Sequence, residues 1–192
     1  GLPVKNVPMF AVVSRLTRQK GMDLLLSALD PFLKRQDVQL VVLGTGEPAL
    51  EAAFQTYQAA YPSKVVAAIQ FDTQLAQQIY AGSDLFLMPS AFEPCGLSQM
   101  MAMHYGTLPI VHAVGGLRDT VIPYNQFTGQ GTGFSFDDYR PEVLRKIMTL
   151  AVTLYRHQPR IWRQLQHQAM TCDFGWEHSA QQYRMIYQQL AR

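Results

Sequence analysis

The chain has 192 residues, 48% of them hydrophobic, enough for one α/β domain with a real core and no reason in length to expect two. Charged residues make up only 16%, against about 25% in a typical domain, and the net charge of +2 carries no basic block, which argues against nucleic acid as the main partner. The two cysteines, Cys95 and Cys172, and the five histidines show no metal-ligand spacing, and no apolar run approaches the roughly 18 residues that span a bilayer, so zinc and a membrane anchor lose support.

In chain order, residues 9–14 read as a strand and 21–35 as a helix whose Leu25, Leu29, Phe32 and Leu33 form one stripe at helical period. A strand at 38–43, a helix at 48–61, a strand at 64–69 and a helix at 74–81 follow. The run Asp84-Leu85-Phe86-Leu87-Met88 is a strand, Pro94 halts the chain, and the Met-rich segment 97–105 is a helix packed into the core. A strand at 108–112, a further strand at 133–136 and a helix from Pro141 to about residue 156 come next, with helices at 159–170 and 176–190 closing the chain. Residues 124–132, rich in Gly, Gln and Asn, read as a mobile loop, and the glutamines after Gln158 as a solvated surface. Alternation of this kind predicts an α/β fold, a Rossmann-like parallel sheet with helices on both faces.

Every chemically informative segment follows a strand, and ligands of open parallel sheets bind just beyond the carboxyl ends of strands. After the first strand, Ser14-Arg15-Leu16-Thr17-Arg18-Gln19-Lys20-Gly21 crowds Arg15, Arg18 and Lys20 where they would neutralise a diphosphate and stabilise charge growing on a leaving group. After the fourth, Pro89-Ser90-Ala91-Phe92-Glu93-Pro94-Cys95-Gly96-Leu97-Ser98-Gln99 sets the carboxylate of Glu93 beside a helix start whose amides, from about Cys95 to Ser98, point above the sheet. Phe71 ends the third strand, where it either stacks on a base or joins the core. Gly44-Thr45-Gly46-Glu47-Pro48-Ala49 fits the dinucleotide fingerprint, with Asp72 in place for a ribose, and keeps a nicotinamide or flavin reading open. Against that reading the loop lies in the second βα unit, and its glycines serve to let backbone pass close to a nucleotide. Val114-Gly115-Gly116-Leu117-Arg118-Asp119-Thr120 is flexible backbone followed by a helix start, or a turn capped by Asp119 or Thr120. The histidines take structural or surface roles by default.

Taken together, Ser14-Arg15-Leu16-Thr17-x-Gln19-Lys20-Gly21, the 89–99 segment, and Tyr105-Gly106-Thr107-x-Pro109-x-Val111 through Gly115-Gly116-Leu117-x-Asp119-Thr120-Val121 resemble bacterial glycogen synthase and its plant relative, starch synthase. Asp173-Phe174-x-Trp176 resembles the family's crossing into its last helix. The resemblance implies two Rossmann-like domains of GT-B type facing a cleft. It also implies transfer of glucose from ADP-glucose to the non-reducing end of an α-1,4-glucan with retention of configuration, and no metal or redox cofactor.

By the resemblance, Arg15, Lys20 and Glu93 are the catalytic set. Arg15 and Lys20 hold the diphosphate, and Glu93 contacts the donor glucose. Cys95, Gly96 and Leu97 give backbone contacts, and Gly44, Phe71, Ser98 and Thr120 complete the substrate-binding residues. Departures from the family pattern are Phe71 where a Tyr is familiar, Ser98 for Thr, and Val114 for Thr before the paired glycines. The family's amino-terminal Lys-x-Gly-Gly-[Leu/Met] loop does not occur, and the chain opens on Gly1 rather than Met.

The expectation is therefore a carboxy-terminal, donor-binding domain over 1–192, in which 174–192 is a crossing helix that packs on an absent amino-terminal domain. Alone, it is expected to bind ADP or ADP-glucose, to be nearly inactive in transfer, to be soluble and cytoplasmic, and to self-associate through its last helix. A UDP-sugar transferase half and a stand-alone nucleotide-binding module are the alternatives.

Overall fold

The structure, a computed structural model, describes residues 1–190. Its strands β1 (Met9–Val13), β2 (Gln39–Leu43), β3 (Val65–Ala68), β4 (Leu85–Met88), β5 (Leu108–His112) and β6 (Phe134–Phe136) form one parallel sheet in the order β3-β2-β1-β4-β5-β6. These strands are near-continuous apolar runs, and β4 and β5 are buried along their whole length, as a sheet covered on both faces requires. The cover consists of α1 (Met22–Arg35), α2 (Pro48–Ala60), α3 (Thr73–Gly82), α4 (Ser98–His104), α5 (Gly115–Thr120), α6 (Pro141–His157), α7 (Pro159–Met170) and α8 (Trp176–Leu190). The expected α/β architecture is present, and strand and helix ends shift by only one or two residues.

The predicted stripe on α1 is buried as a unit, with the Phe32 ring meeting Phe10 of β1 edge-on at 5.4 Å. Full burial of a side chain of this size contributes about 1.5–3 kcal/mol, so packing sets the place of α1. α1 in turn lies against α6, and α7 against α4. The first strand is set by a polar contact as well: the Met9 amide donates to Asp84 Oδ2 at 2.8 Å, just ahead of β4.

Two segments carry hydrogen bonds that their composition does not specify. In the 124–132 segment Asn125 Oδ1 accepts from the amides of Phe127 (2.9 Å) and Thr128 (3.2 Å), and the Asn125 amide donates to the Gln130 carbonyl at 2.8 Å. A polar composition matches a mobile loop and a tight, side-chain-bonded turn equally well. The glutamines of α7 do more than solvate, because Gln168 Oε1 accepts from the Gly131 amide at 2.8 Å and Gln166 Nε2 donates to the Gly106 carbonyl at 2.9 Å.

α8 carries Tyr183, Ile186, Tyr187 and Leu190 at helical spacing, and all four are exposed, as is Trp176 at its start. Among the described residues, no helix is long and apolar enough to cross a membrane.

Burial pushes the Asp84 carboxyl above its usual range, and the bond from Met9 offsets part of that. A carboxyl raised in the folded chain contributes stability that is fully present below the unfolded value of about 3.9 and lost as pH rises through the folded one. We expect Asp84→Ala, which leaves the Met9 amide without an acceptor, to cost about 1–3 kcal/mol. Asp84→Asn, which keeps an acceptor without charge, should be neutral or stabilising at pH 7 and flatten the acid limb, as urea melts at several pH values will report.

Candidate functional site

The strand order reverses between β1 and β4: the chain runs outward from β1 to β2 and β3, then returns to β4 on the other side. Connections leaving these two strands diverge, opening a crevice at their carboxyl ends. The register Phe10↔Leu85 and Ala11↔Phe86 fixes how far each strand reaches, so the segments 14–21 and 89–97 emerge side by side. The Ala91 amide donates to the Gln19 carbonyl at 2.9 Å. Gly21, at φ 74°, is in the left-handed region, and a Cβ there would collide with the Pro89 carbonyl.

At this junction Lys20 Nζ donates to Glu93 Oε2, and the Ser90 hydroxyl donates to the same oxygen at 3.3 Å. Lys20 comes from a 3-10 turn, Arg18–Lys20, which aims it back over β4. The Glu93 carboxylate is buried and Lys20 half-buried beside it, an arrangement favourable only when geometry and further hydrogen bonds offset desolvation. Arg18 turns away, pairing with Glu47 at 3.9 Å through its Nε and at 3.0 Å through its amide.

Two adjoining compartments open on this edge. One, of about 420 Å³, is walled by apolar Leu43, Ala76, Tyr80 and Phe71, with Gln70 and Asp72 at its rim. The other, of about 350 Å³, is polar and contains Lys20, Ser90, Glu93 and Gly96. Val13, Ser14, Arg15, Leu97 and Ser98 belong to both, so Arg15 stands in the shared wall. Phe71 is 87% exposed, which removes the core alternative and leaves its ring face open to the first compartment. A ligand matching this pair is elongated: a flat aromatic group at Phe71, negative charge beside Arg15, and hydroxyl groups within reach of Glu93. A larger depression of about 590 Å³, between α4 and the segment after α7, has a Met-rich lining without Lys or Arg.

Gly44 lines the first compartment, but its need for glycine arises elsewhere. A Cβ on Gly44 would meet the Ser14 carbonyl, one on Gly46 the Leu16 carbonyl, and the Leu16 amide donates to the Thr45 carbonyl at 2.8 Å. These glycines bring backbone close to backbone. Asp72 Oδ1 accepts from the Leu75 amide at 2.9 Å and so caps α3.

Cys95 and Thr120 line neither compartment. Thr120 donates to the Gly116 carbonyl at 2.6 Å, one turn back, instead of capping α5. The paired glycines act on the 93–95 turn: the Gly116 amide donates to the carbonyls of Glu93 (3.2 Å) and Pro94 (3.1 Å), and a Cβ on Gly115 or Gly116 would strike the carbonyls of Glu93 or Cys95. α4 starts at Ser98, so its unpaired amides fall at Leu97 to Met100, a little later than expected.

Three residues here have roles that the motifs do not assign. Gln99, fully buried, donates from Nε2 to the carbonyls of Cys95 (3.3 Å) and Gly96 (3.0 Å) and to Thr120 Oγ1 (3.0 Å). Ser90 supports Glu93, and His112 lies behind Ser90. For Ser90 and His112 the signal was position, just after or at the end of a strand, while Gln99 lies inside α4. Among the described residues, no group of three or more His, Cys, Asp or Glu is placed to hold a metal ion.

The model of the family "Glycosyl transferases group 1" matches residues 2–164. The whole chain is 84% identical to part of the glycogen synthase of Lactiplantibacillus plantarum, and 99% of it is 58% identical to that of Streptococcus gordonii. It spans 40% of the length of each of these relatives. The catalytic domain of starch synthase IV from Arabidopsis thaliana, solved with ADP and acarbose, superposes over 100% of this chain and 41% of its own, with a TM-score of 0.88 at 33% identity.

Removing one member of a buried ion pair costs about 3–5 kcal/mol, because the other charge stays behind. We expect Lys20→Met to destabilise the fold on that scale and Lys20→Met with Glu93→Gln to recover most of the loss. A double-mutant cycle by urea denaturation will read the coupling, and additive effects of the two changes would show that the pair is not coupled.

Proposed function

The chain belongs to the glycosyl transferases group 1 family, and on that premise we propose that it is the donor-binding domain of a glucosyltransferase that takes glucose from ADP-glucose. The observation that carries this reading is the pair of compartments meeting at Arg15, one aromatic and one polar with a carboxylate at its end. Phe71 stacks on the base, Arg15 and Lys20 take the diphosphate, and Glu93 accepts hydrogen bonds from sugar hydroxyls. As the bond to the diphosphate breaks, charge grows on the leaving oxygens, and cations already in place stabilise it without reorganising. Gly96, Leu97 and Ser98 present backbone and hydroxyl groups to the same compartment. Gly44 contributes by seating Ser14 and Arg15, while Cys95 and Thr120 shape the loop through Gln99.

The acceptor is an α-1,4-glucan extended at its non-reducing end with retention of configuration, and the protein works in the cytoplasm. The glycogen synthases that match this chain are two and a half times its length, which supports placing the acceptor on the remaining polypeptide. Rate depends on holding donor and acceptor together, so the chain alone is nearly inactive in transfer. The exposed stripe of α8 supports assigning Trp176–Leu190 as a helix that crosses to that other part; residues 191–192 of the expected crossing helix lie outside the described residues. A UDP-sugar donor remains the second reading, because Phe71 stacks on either base.

Calorimetric titration with ADP-glucose tests the site. Arg15 is exposed, so Arg15→Ala should leave stability unchanged while weakening binding about tenfold or more, the loss of one charged contact. Arg15→Ala with Lys20→Ala should abolish binding, and UDP-glucose should bind less tightly than ADP-glucose. NAD binding that survives both changes would move the site to Gly44–Gly46 and end the nucleotide-sugar reading.

The apolar stripe of α8 predicts concentration-dependent self-association of the isolated chain. Sedimentation velocity should give a weight-average mass that rises with concentration and falls with Tyr187→Lys. A single monomeric boundary at high concentration would contradict it.

A further inference from the structure

The Glu93 site has a buried support that neither the motifs nor the proposed chemistry uses. His112, the last residue of β5, is 8% exposed, with its ring stacked on Phe136 at 5.3 Å and tilted against Tyr139 at 5.0 Å. Its Nδ1 lies 2.8 Å from the Ser90 carbonyl and its Nε2 3.1 Å from the Asp137 carbonyl. Both partners are acceptors only. A neutral imidazole carries one N–H and would meet the second carbonyl lone pair to lone pair, whereas the imidazolium donates to both. A buried acceptor facing an acceptor forfeits a hydrogen bond and keeps the desolvation cost.

The charges around the ring suit that form. Glu93 lies beyond Ser90 on the β4 side. On the β6 side are the carboxylates of Asp137, which meets Arg118 of α5 at 3.6 Å, and Asp138, which Arg140 holds at 2.8 Å. Tyr139 is pushed up to about 12 by burial and then by Asp23 of α1, so its phenol stays neutral and adds no charge against the ring.

We propose that His112 is a positioning residue of the donor site: as an imidazolium it ties Asp137 to Ser90 and so fixes the turn from which the Ser90 hydroxyl reaches Glu93. The proposal rests on the reading of Glu93 as a ligand of the donor sugar. Loss of one ring hydrogen frees one end of the tie, and Glu93 is then held by Lys20 without a fixed Ser90. Donor affinity is therefore full while the ring is charged and falls as pH rises through its titration.

The test is the affinity for ADP-glucose across about pH 5 to 8, the range in which histidine changes charge. The wild-type chain should weaken about tenfold toward the alkaline end, the scale of one hydrogen bond to a charged group. His112→Phe, which keeps the ring but donates nothing, should be weak and flat over that range. His112→Arg, charged throughout, should be flat and tighter than His112→Phe. A wild-type profile parallel to that of His112→Phe would overturn the proposal. Ring nitrogen resonances of the unliganded wild-type chain separate this from the nucleotide reading. Hydrogens on both nitrogens at acid pH, with the Ser90 and Glu93 amide signals moving as one is lost, support the tie even if no nucleotide binds. A ring that changes charge while those signals stay still refutes it.

Discussion

The parallel pairing of β1 with β4 is the constraint on which this molecule turns. It joins the two halves of the sheet at the point where strand order reverses, and its register places two strand-end segments at the same height. Everything chemical in the crevice follows from that adjacency. Lys20 and Glu93 are 73 residues apart in sequence, yet they form one part-buried pair because their strands are neighbours. Asp84 and Met9 lock the opposite end of the same strand pair, so slippage of β1 against β4 would break contacts at both ends.

Around that junction the glycines serve a structural purpose that local sequence disguises. Gly21 lets the first loop pass under Pro89, Gly44 and Gly46 let it lie on the second loop, and Gly115 and Gly116 clamp the 93–95 turn. Each removes a side chain where two backbones meet, so the loops brace one another across the crevice. A site built this way is preorganised by packing and backbone hydrogen bonds, which is what a domain needs if its charged groups are to face a ligand without rearrangement. Gln99 extends the bracing from α4 to Thr120, and His112 extends it from β5 to Ser90.

The same logic separates the elements that bury their apolar faces from the one that does not. The sheet and α1 through α7 bury one continuous core, while α8 leaves a row of Tyr, Ile and Leu exposed. Apolar side chains scattered singly are ordinary, but a row at helical spacing is the mark of a surface awaiting a partner.

Much of this was legible in the residues alone. Alternating apolar runs and amphipathic stretches define a parallel sheet because strand and helix periods differ, and Pro141 and Pro159 set helix starts through a fixed φ. The cationic turn at 15–20 and the carboxylate at Glu93 were visible as residue types following strands. Three-dimensional packing alone decided which of them meet. It chose Lys20 over Arg18 as the partner of Glu93, put Arg15 in the wall between two compartments, and turned Phe71 outward. It made Asn125 and the α7 glutamines into tethers, and drew Thr120 and Cys95 away from the cavity. Periodicity encodes which face of an element is buried, since that is a local matter of hydropathy. Which side chains touch across elements depends on strand order and register, and these are settled by the packing of the whole core.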